Sequence, residues 1–132
     1  MSGEVPVGAV MVLDGQVIAR SHNAVEATSQ PTAHAEMLCI QAAASLTGRW
    51  RLPEATLYVT LEPCPMCAGA ALQARLSTVV FGAPNPLLGE HLCCWLMRGR
   101  GTQTTSCRVA TPPGARRSGR KLGVIVAARA RP

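Results

Sequence analysis

Two short motifs carry side chains that together could form a catalytic metal site. The first, Pro31-Thr-Ala-His-Ala-Glu36, places a histidine two residues before a glutamate, and the second, Leu61-Glu-Pro-Cys-Pro-Met-Cys67, contains a Cys-x-x-Cys pair. One imidazole and two thiolates are typical zinc ligands, and three protein ligands leave the fourth tetrahedral position open, as in catalytic zinc sites. The spacing therefore predicts that Zn²⁺ is bound by His34, Cys64 and Cys67.

Glu36 is predicted to lie beside the open position. Zinc lowers the pKa of a bound water from about 15.7 toward 7, and a neighbouring carboxylate can then move protons between that water and a substrate. This chemistry suits hydrolytic removal of an amino group, with Glu36 carrying the proton first to a ring nitrogen and then to the departing amine. The alternative interpretation, a purely structural zinc site, leaves Glu36 without a role.

The sequence around the motifs predicts strands and helices in alternation, which indicates an α/β fold with parallel crossovers. Each ligand motif opens a helix, where unpaired N–H groups and the helix dipole favour thiolate. In the middle of a helix, residues i and i+2 such as His34 and Glu36 are about 200° apart around the axis. A shared site therefore requires both residues to lie in the first turn.

The predicted strands cover residues 5–13, 16–22, 55–61 and 78–81, with a hairpin turn at Asp14-Gly15. The predicted helices run from about Ala33 to Leu46, with Thr32 as N-cap and Gly48 as the stop, and from Pro63 to about Arg75. Residues 23–31 and 82–90 are predicted to be loops.

Charge divides the chain near Glu90. All seven acids lie in the first 90 residues, which carry four arginines and a net charge of −3, whereas the remainder has nine basic residues and no acid. We therefore predict a zinc-dependent deaminase domain over residues 1–90 and a divergent, basic, partly disordered segment over residues 91–132. That segment could contact phosphates or could be a solvated extension, which its poor periodicity favours. Its weak patterns are a helical turn at 92–97 and strands at 107–110 and 122–128.

Cysteine usage and hydropathy give expectations about the compartment. The six cysteines are unevenly spaced, which suits zinc in a reducing compartment better than a disulfide framework. No apolar run of about 18 residues is present, so we expect no membrane span, and the first residues do not resemble a signal peptide. The predicted location is the cytoplasm, with the plastid as the alternative if a transit peptide is missing from this chain.

The pattern His-x-Glu followed by Pro-Cys-x-x-Cys is a signature of zinc nucleobase deaminases. Over about residues 4–90 the chain closely resembles the bacterial and plastid tRNA adenosine deaminases, which form inosine at the wobble position. The resemblance implies a cytidine-deaminase-like three-layer α/β/α sandwich with a mixed central sheet, a homodimer, and the tRNA anticodon loop as substrate. It is carried by four segments: Glu4–Val10, Pro31–Glu36, Ala55–Ala70 and Val79–Ala83.

The resemblance also implies substrate-binding residues. Asn23 matches the residue that recognises the base, Ala35 offers a backbone N–H near the zinc-bound oxygen, and Val7 and Leu61 match pocket-lining residues. Asn85 stands where the family usually has an aspartate that touches the target ribose, which affects the expected discrimination between ribose and deoxyribose. The family's first helix and its last strand and helix are not recognisable here.

Two other functions fit the same residues. The first is a zinc deaminase of another nucleobase or nucleotide, such as cytosine, dCMP or guanine. The second is a truncated or non-catalytic deaminase-like subunit. The intact Glu36 argues against a non-catalytic subunit, whereas the unrecognisable terminal elements favour it.

Overall fold

The fold is a mixed five-stranded sheet with helices, seen in a computed structural model that describes residues 3–87 and 105–110. The predicted α/β class is therefore confirmed. The elements are β1 (Gly8–Leu13), β2 (Gln16–His22), α1 (Val25–Thr28), α2 (Ala35–Thr47), β3 (Thr56–Leu61), α3 (Pro65–Gln73), β4 (Thr78–Ala83) and β5 (Ser106–Val109).

The strands lie in the order β2-β1-β3-β4-β5. Strand β1 pairs antiparallel with both β2 and β3, whereas the β3–β4 and β4–β5 pairs are parallel. Because β2 and β3 are each antiparallel to β1, they run in the same direction. Helix α2 follows β2 and helix α3 follows β3, so both helices begin at the same edge of the sheet.

The β1–β2 hairpin forms where the sequence predicts it. Asp14 has φ 50° and Gly15 has φ 75°, and two successive left-handed residues are what the two-residue type I′ turn requires. The register of the β1–β2 pair shifts between Met11 and Val12, because Met11 pairs with Ala19 and Val12 pairs with Val17. Ile18 therefore has no paired residue on β1. The hairpin fixes the end of β2 and hence the start of the segment that leads to α2.

One face of the sheet is buried under α2 and α3. Along β1, Ala9 and Met11 point into the core, and the pattern continues with alternate residues of β3 and β4. Both helices contribute small side chains to this core, and α2 approaches β1 and β2 closely. The opposite face carries half-buried residues around an open groove of about 430 Å³, and the predicted helical layer over it is not tested by the described residues. Sheet residues in the core are Ala9, Met11, Ala19, Leu57, Val59, Val79 and Phe81, and helix residues are Ala35, Cys39, Ala43, Ala68 and Ala71.

Both long helices begin later than predicted. Thr32 is not the N-cap of α2; His34 is, because its extended backbone (φ −72°, ψ 150°) precedes the first helical residue. Similarly, Pro63 does not open α3, since Cys64 is the N-cap and Pro65 occupies the first helical position. The predicted stop of α2 is confirmed, with Gly48 in the left-handed conformation at φ 66°.

Other boundaries differ from the sequence predictions by a few residues. Strand β1 begins at Gly8 rather than residue 5, since Pro6 has no N–H to donate to the ladder. Residues 25–28, predicted as loop, form the short helix α1. Helix α3 ends at Gln73, and β4 continues to Ala83, which pairs with Leu61.

Strand β5 confirms the strand predicted at 107–110. Because β5 pairs with β4, the sheet includes residues beyond Glu90. The features predicted at 92–97 and 122–128 lie outside the described residues. Within the described ranges, none of the helices has the length and hydrophobicity that crossing a membrane requires.

Candidate metal centre and active site

The three predicted metal ligands lie at the starts of the two long helices. His34 is the N-cap residue of α2, Cys64 is the N-cap residue of α3, and Cys67 lies in the first turn of α3. None of these N-caps forms a side-chain capping bond, so the imidazole and the Cys64 thiol are available to each other. The two helix starts meet because α2 and α3 follow strands that run in the same direction.

The ligand atoms are close enough to share one ion. Nδ1 of His34 lies 3.6 Å from Sγ of Cys64 and 3.5 Å from Sγ of Cys67, and all three atoms lie within 4.8 Å of one another. Zinc bonds of about 2.0–2.1 Å to nitrogen and about 2.3 Å to sulfur, opened at a tetrahedral angle, would separate the two ligand atoms by about 3.6 Å. The structure brings the three predicted ligands together, and the residues fit a metal ion bound through Nδ1 and two sulfurs.

The two thiols differ in acidity when no metal is bound. A hydrogen bond from Cys67 is the main cause that lowers the pKa of Cys64 from 9.0 to about 5, while burial acts in the opposite direction. The pKa of Cys67 is raised, first because it donates that hydrogen bond and then because it is buried. One thiolate is therefore present near neutral pH before any metal binds, which favours metal capture.

Glu36 completes the group at the start of α2. Its side chain is almost fully buried, at 4% exposure, and burial is the main cause that raises its pKa above the usual 4.5. A hydrogen bond with Cys67 acts in the opposite direction, which puts the carboxyl beside the cysteine pair. His34 precedes the helix and Glu36 is its second residue. The separation of about 200° expected for two such residues within a helix therefore does not apply to their side chains. A buried carboxyl with a raised pKa beside a metal site is suited to proton transfer.

Asn23 is tied to the metal centre through the backbone. Its N–H donates to the carbonyl of Val7 at 3.0 Å, and the N–H of Ala24 donates to the carbonyl of Ala33 at 3.0 Å. Ala33 immediately precedes His34, so Asn23 lies between the residue before β1 and the first predicted metal ligand. Asn23 is 8% exposed and Val7 is half-buried.

The remaining predicted substrate residues lie around the two helix starts. Ala35 is fully buried as the first residue of α2, a position whose N–H has no partner within the helix. Leu61 is half-buried at the end of β3, three residues before Cys64. Asn85 is half-buried in the loop after β4, and the structure gives no contact between its side chain and the metal ligands.

Two acidic residues near the site were not among the predicted site residues. Glu62 is 1% exposed and accepts a hydrogen bond of 3.1 Å from the N–H of Asn85. Glu4 accepts hydrogen bonds from the Asn23 side chain and the N–H of Ala27. The sequence signal for each of these residues was a single acid in an apolar segment. Their hydrogen-bond partners lie 19 to 23 residues away in the sequence.

Known proteins similar to this chain include tRNA adenosine deaminases. Over 86 residues the chain is 64% identical to the chloroplastic tRNA(adenine(34)) deaminase of Arabidopsis thaliana, covering 65% of this chain and 7% of that protein. It is 60% identical over 84 residues to the tRNA-specific adenosine deaminase of Bacillus subtilis, covering 64% of this chain and 52% of that protein. The chain thus spans about half the length of the bacterial relative.

Solved structures share the fold. A structure from a study of A-to-I editing by tRNA:A34 deaminases superposes with a TM-score of 0.70 and 42% identity, covering 79% of this chain and 82% of that one. The guanine deaminase of Bacillus subtilis gives a TM-score of 0.58 and 44% identity, covering 59% of this chain and 50% of that one. These neighbours support the expected cytidine-deaminase-like sandwich.

A protein-family model described as MafB19-like deaminase matches residues 1–100. The match includes both helix starts, the three clustered ligands and Glu36. The chain belongs to the MafB19-like deaminase family.

Proposed function

We propose that this chain is a zinc-dependent tRNA adenosine deaminase that converts adenosine to inosine at the wobble position. The observation that carries the proposal is the approach of Nδ1 of His34 to the two cysteine sulfurs at 3.5–3.6 Å, with the buried Glu36 beside Cys67. The similarity to proteins named as tRNA adenosine deaminases supports the choice of substrate.

Zinc is the metal that this donor set favours. Soft thiolates with one imidazole suit zinc, and three protein ligands leave a position for a reactant. When bound, zinc supplies a Lewis acid that activates water for attack. The ligands would be Nδ1 of His34 and the sulfurs of Cys64 and Cys67.

Glu36 is the proton carrier of the proposed reaction. It takes a proton from the attacking water and gives it to ring N1 of adenine while a C–O bond forms at C6. It then takes the second proton of that oxygen and delivers it to the amino group, the C–N bond breaks, and ammonia leaves. Overall, adenosine and water yield inosine and ammonia, and Glu36 ends in its starting state.

The substrate residues are proposed from the resemblance and from their location around the two helix starts. Asn23 would bind the base edge, Val7 and Leu61 would form the apolar walls, and the N–H of Ala35 would donate to the oxygen that attacks. Asn85 would approach the sugar of the target nucleotide. The base must leave the anticodon stack to enter such a site.

We further propose the tRNA anticodon loop as partner, a homodimer as the assembly and the cytoplasm as the location. The plastid is the alternative, since the Arabidopsis relative is named as chloroplastic. Residues 1–90 as the deaminase domain and 91–132 as a divergent, basic segment also remain a prediction, although β5 from that segment pairs with β4 of the domain.

The test is inosine formation by the zinc-loaded full chain on an anticodon stem-loop RNA with adenosine at the wobble position. Inosine should form with wild type, and metal analysis should find one zinc per chain. Cys64→Ala should lose both the metal and the activity, whereas Cys39→Ala should keep both. Zinc retained at full occupancy by the Cys64→Ala chain would contradict the proposed ligand set.

Guanine deamination is the second candidate, because the guanine deaminase of Bacillus subtilis is 44% identical over 59% of this chain. The same preparation should be incubated with free guanine, cytidine and dCMP. Release of ammonia from guanine without inosine formation in RNA would replace the first proposal with the second.

A further inference from the structure

Glu4 links two segments that the chain brings together only when it folds. Its Oε2 accepts a hydrogen bond of 2.7 Å from Nδ2 of Asn23, and its Oε1 accepts one of 2.8 Å from the backbone N–H of Ala27. Both carboxylate oxygens are thus used by residues 19 and 23 positions away in the sequence. Glu4 itself is half-buried.

We propose that Glu4 is a positioning residue that fixes the side-chain amide of Asn23 in one orientation for substrate recognition. This inference rests on the proposed function, in which Asn23 contacts the base. It assigns to Glu4 a role in the reaction through Asn23, without contact between Glu4 and the substrate.

The chemistry of the pair fixes the direction of the amide. An ionised carboxylate only accepts hydrogen bonds, whereas an asparagine amide has a donating and an accepting end. Rotating the amide by 180° would place its carbonyl oxygen against Oε2 of Glu4 at hydrogen-bond distance, where two acceptors repel. The amide nitrogen of Asn23 is therefore held toward Glu4.

The rest of the amide is left for a ligand. One N–H of Asn23 is donated to Glu4, which leaves the second N–H and the carbonyl oxygen, and no described residue donates a hydrogen bond to that oxygen. A donor and an acceptor held side by side form the edge with which asparagine pairs with adenine. An amide free to flip would present the reversed edge for part of the time.

The backbone around Asn23 is already fixed, so side-chain rotation is the freedom that Glu4 removes. The N–H of Asn23 bonds to Val7, and Ala24 bonds to Ala33, the residue before His34. Glu4 also replaces the missing cap of α1, since Ala24 forms no side-chain cap bond and Ala27 is the third residue of that helix. Asn23 and the helix after it are thus held by one carboxylate.

The experiment measures kcat/KM of the full, zinc-loaded chain on the anticodon stem-loop RNA for Glu4→Ala, Glu4→Gln, Asn23→Ala and the double variant Glu4→Ala/Asn23→Ala. Asn23→Ala should lower kcat/KM by about 10–100-fold, and Glu4→Ala by about 10-fold, with zinc content unchanged. Glu4→Gln should lose less, because glutamine keeps one acceptor. The matched control is Glu26→Ala, which removes an exposed acid from α1, the helix that Glu4 contacts. Its kcat/KM should stay within about twofold of wild type.

The double variant separates positioning from general stability. If Glu4 acts through Asn23, the double variant is no slower than Asn23→Ala alone. If the two losses multiply, or if Glu4→Ala leaves kcat/KM unchanged, the inference is overturned.

Failure of the proposed function gives a different result. If guanine or cytidine is deaminated and RNA is not, the same cycle is measured on that base. If no base is deaminated, the cycle is measured on equilibrium binding of the stem-loop by fluorescence anisotropy. Non-additive losses support the role of Glu4 in either case, and additive or absent losses overturn it.

Discussion

The buried carboxylate of Glu62 accepts a hydrogen bond of 3.1 Å from the backbone N–H of Asn85. Glu62 follows β3 and comes two residues before Cys64, whereas Asn85 lies in the loop after β4. The segment that leads to Cys64, a proposed metal ligand, is therefore joined directly to the loop proposed to approach the sugar. A displacement of either segment would be transmitted to the other.

Replacing Glu62 by alanine should lower the free energy of unfolding by about 1–3 kcal/mol, because the N–H of Asn85 loses its acceptor in a half-buried position. Urea denaturation followed by circular dichroism would measure this. The control is Glu54→Ala, since Glu54 forms an exposed ion pair with Arg49 at 3.9 Å and should change stability by less than about 0.5 kcal/mol. Equal effects of the two substitutions would argue against an anchoring role for Glu62.

Replacing Glu36 by glutamine should lower inosine formation by about 100–10,000-fold, because the amide cannot carry a proton between water and base. The metal content should not change, since Glu36 is not one of the proposed ligands. Inosine release would be measured by liquid chromatography on the same zinc-loaded preparations. An unchanged rate with zinc still bound would exclude Glu36 as the proton carrier.

The cysteines should differ sharply in alkylation by iodoacetamide. In metal-free protein at pH 6.5, Cys64 should react because its pKa of about 5 leaves it mostly thiolate. Cys39 should not react, because burial raises the pKa of its thiol to about 11 and leaves it fully protonated and inaccessible. Raising the pH to 8.5 should change Cys64 little, since it is already ionised.

Peptide mapping by mass spectrometry would identify the modified residues. Zinc added before the reagent should protect Cys64, because a coordinated sulfur is a poor nucleophile. Labelling of Cys39 ahead of Cys64 would contradict the electrostatic description of the site.

Two glycine-to-alanine substitutions should have opposite effects. A Cβ at Gly82 would lie 2.9 Å from the carbonyl oxygen of Thr60 in the neighbouring strand, so Gly82→Ala should destabilise the β3–β4 pair. Gly69 lies within α3, where an added Cβ would meet no described atom within 4 Å apart from its chain neighbours and the local helix backbone, so Gly69→Ala should stabilise the chain by about 0.5–1 kcal/mol. Thermal unfolding of both variants would test the pair, and a change of the same sign in both would contradict it.

The clustering of His34, Cys64 and Cys67 could be predicted because these residue types are typical zinc ligands. A histidine and a Cys-x-x-Cys pair have few other uses together, and the adjoining strands follow from β-branched, apolar residues. The spacing also placed each motif at a helix start. The predicted first residues of the helices were wrong because an N-cap is set by local backbone angles, and the extended backbones of His34 and Cys64 displace both starts by about two residues.

The contacts of Glu4 could not be predicted in the same way. Residues 25–28 have no helical periodicity, and α1 is stabilised by a carboxylate from the chain's first segment. A single sequence contains no local sign of such a long-range bond. The same holds for Glu62, whose partner lies 23 residues away on the far side of α3 and β4.

The approach of His34 to the cysteine pair also has a thermodynamic consequence. An ion held there would cross-link two segments 30 residues apart, much as a covalent bridge does, and would bind the folded chain far more tightly than the open one. The melting temperature should then rise with free zinc concentration. Removing the ion with a chelator would then leave the starts of α2 and α3 less firmly held together. The ion proposed for catalysis would therefore also stabilise the fold around it.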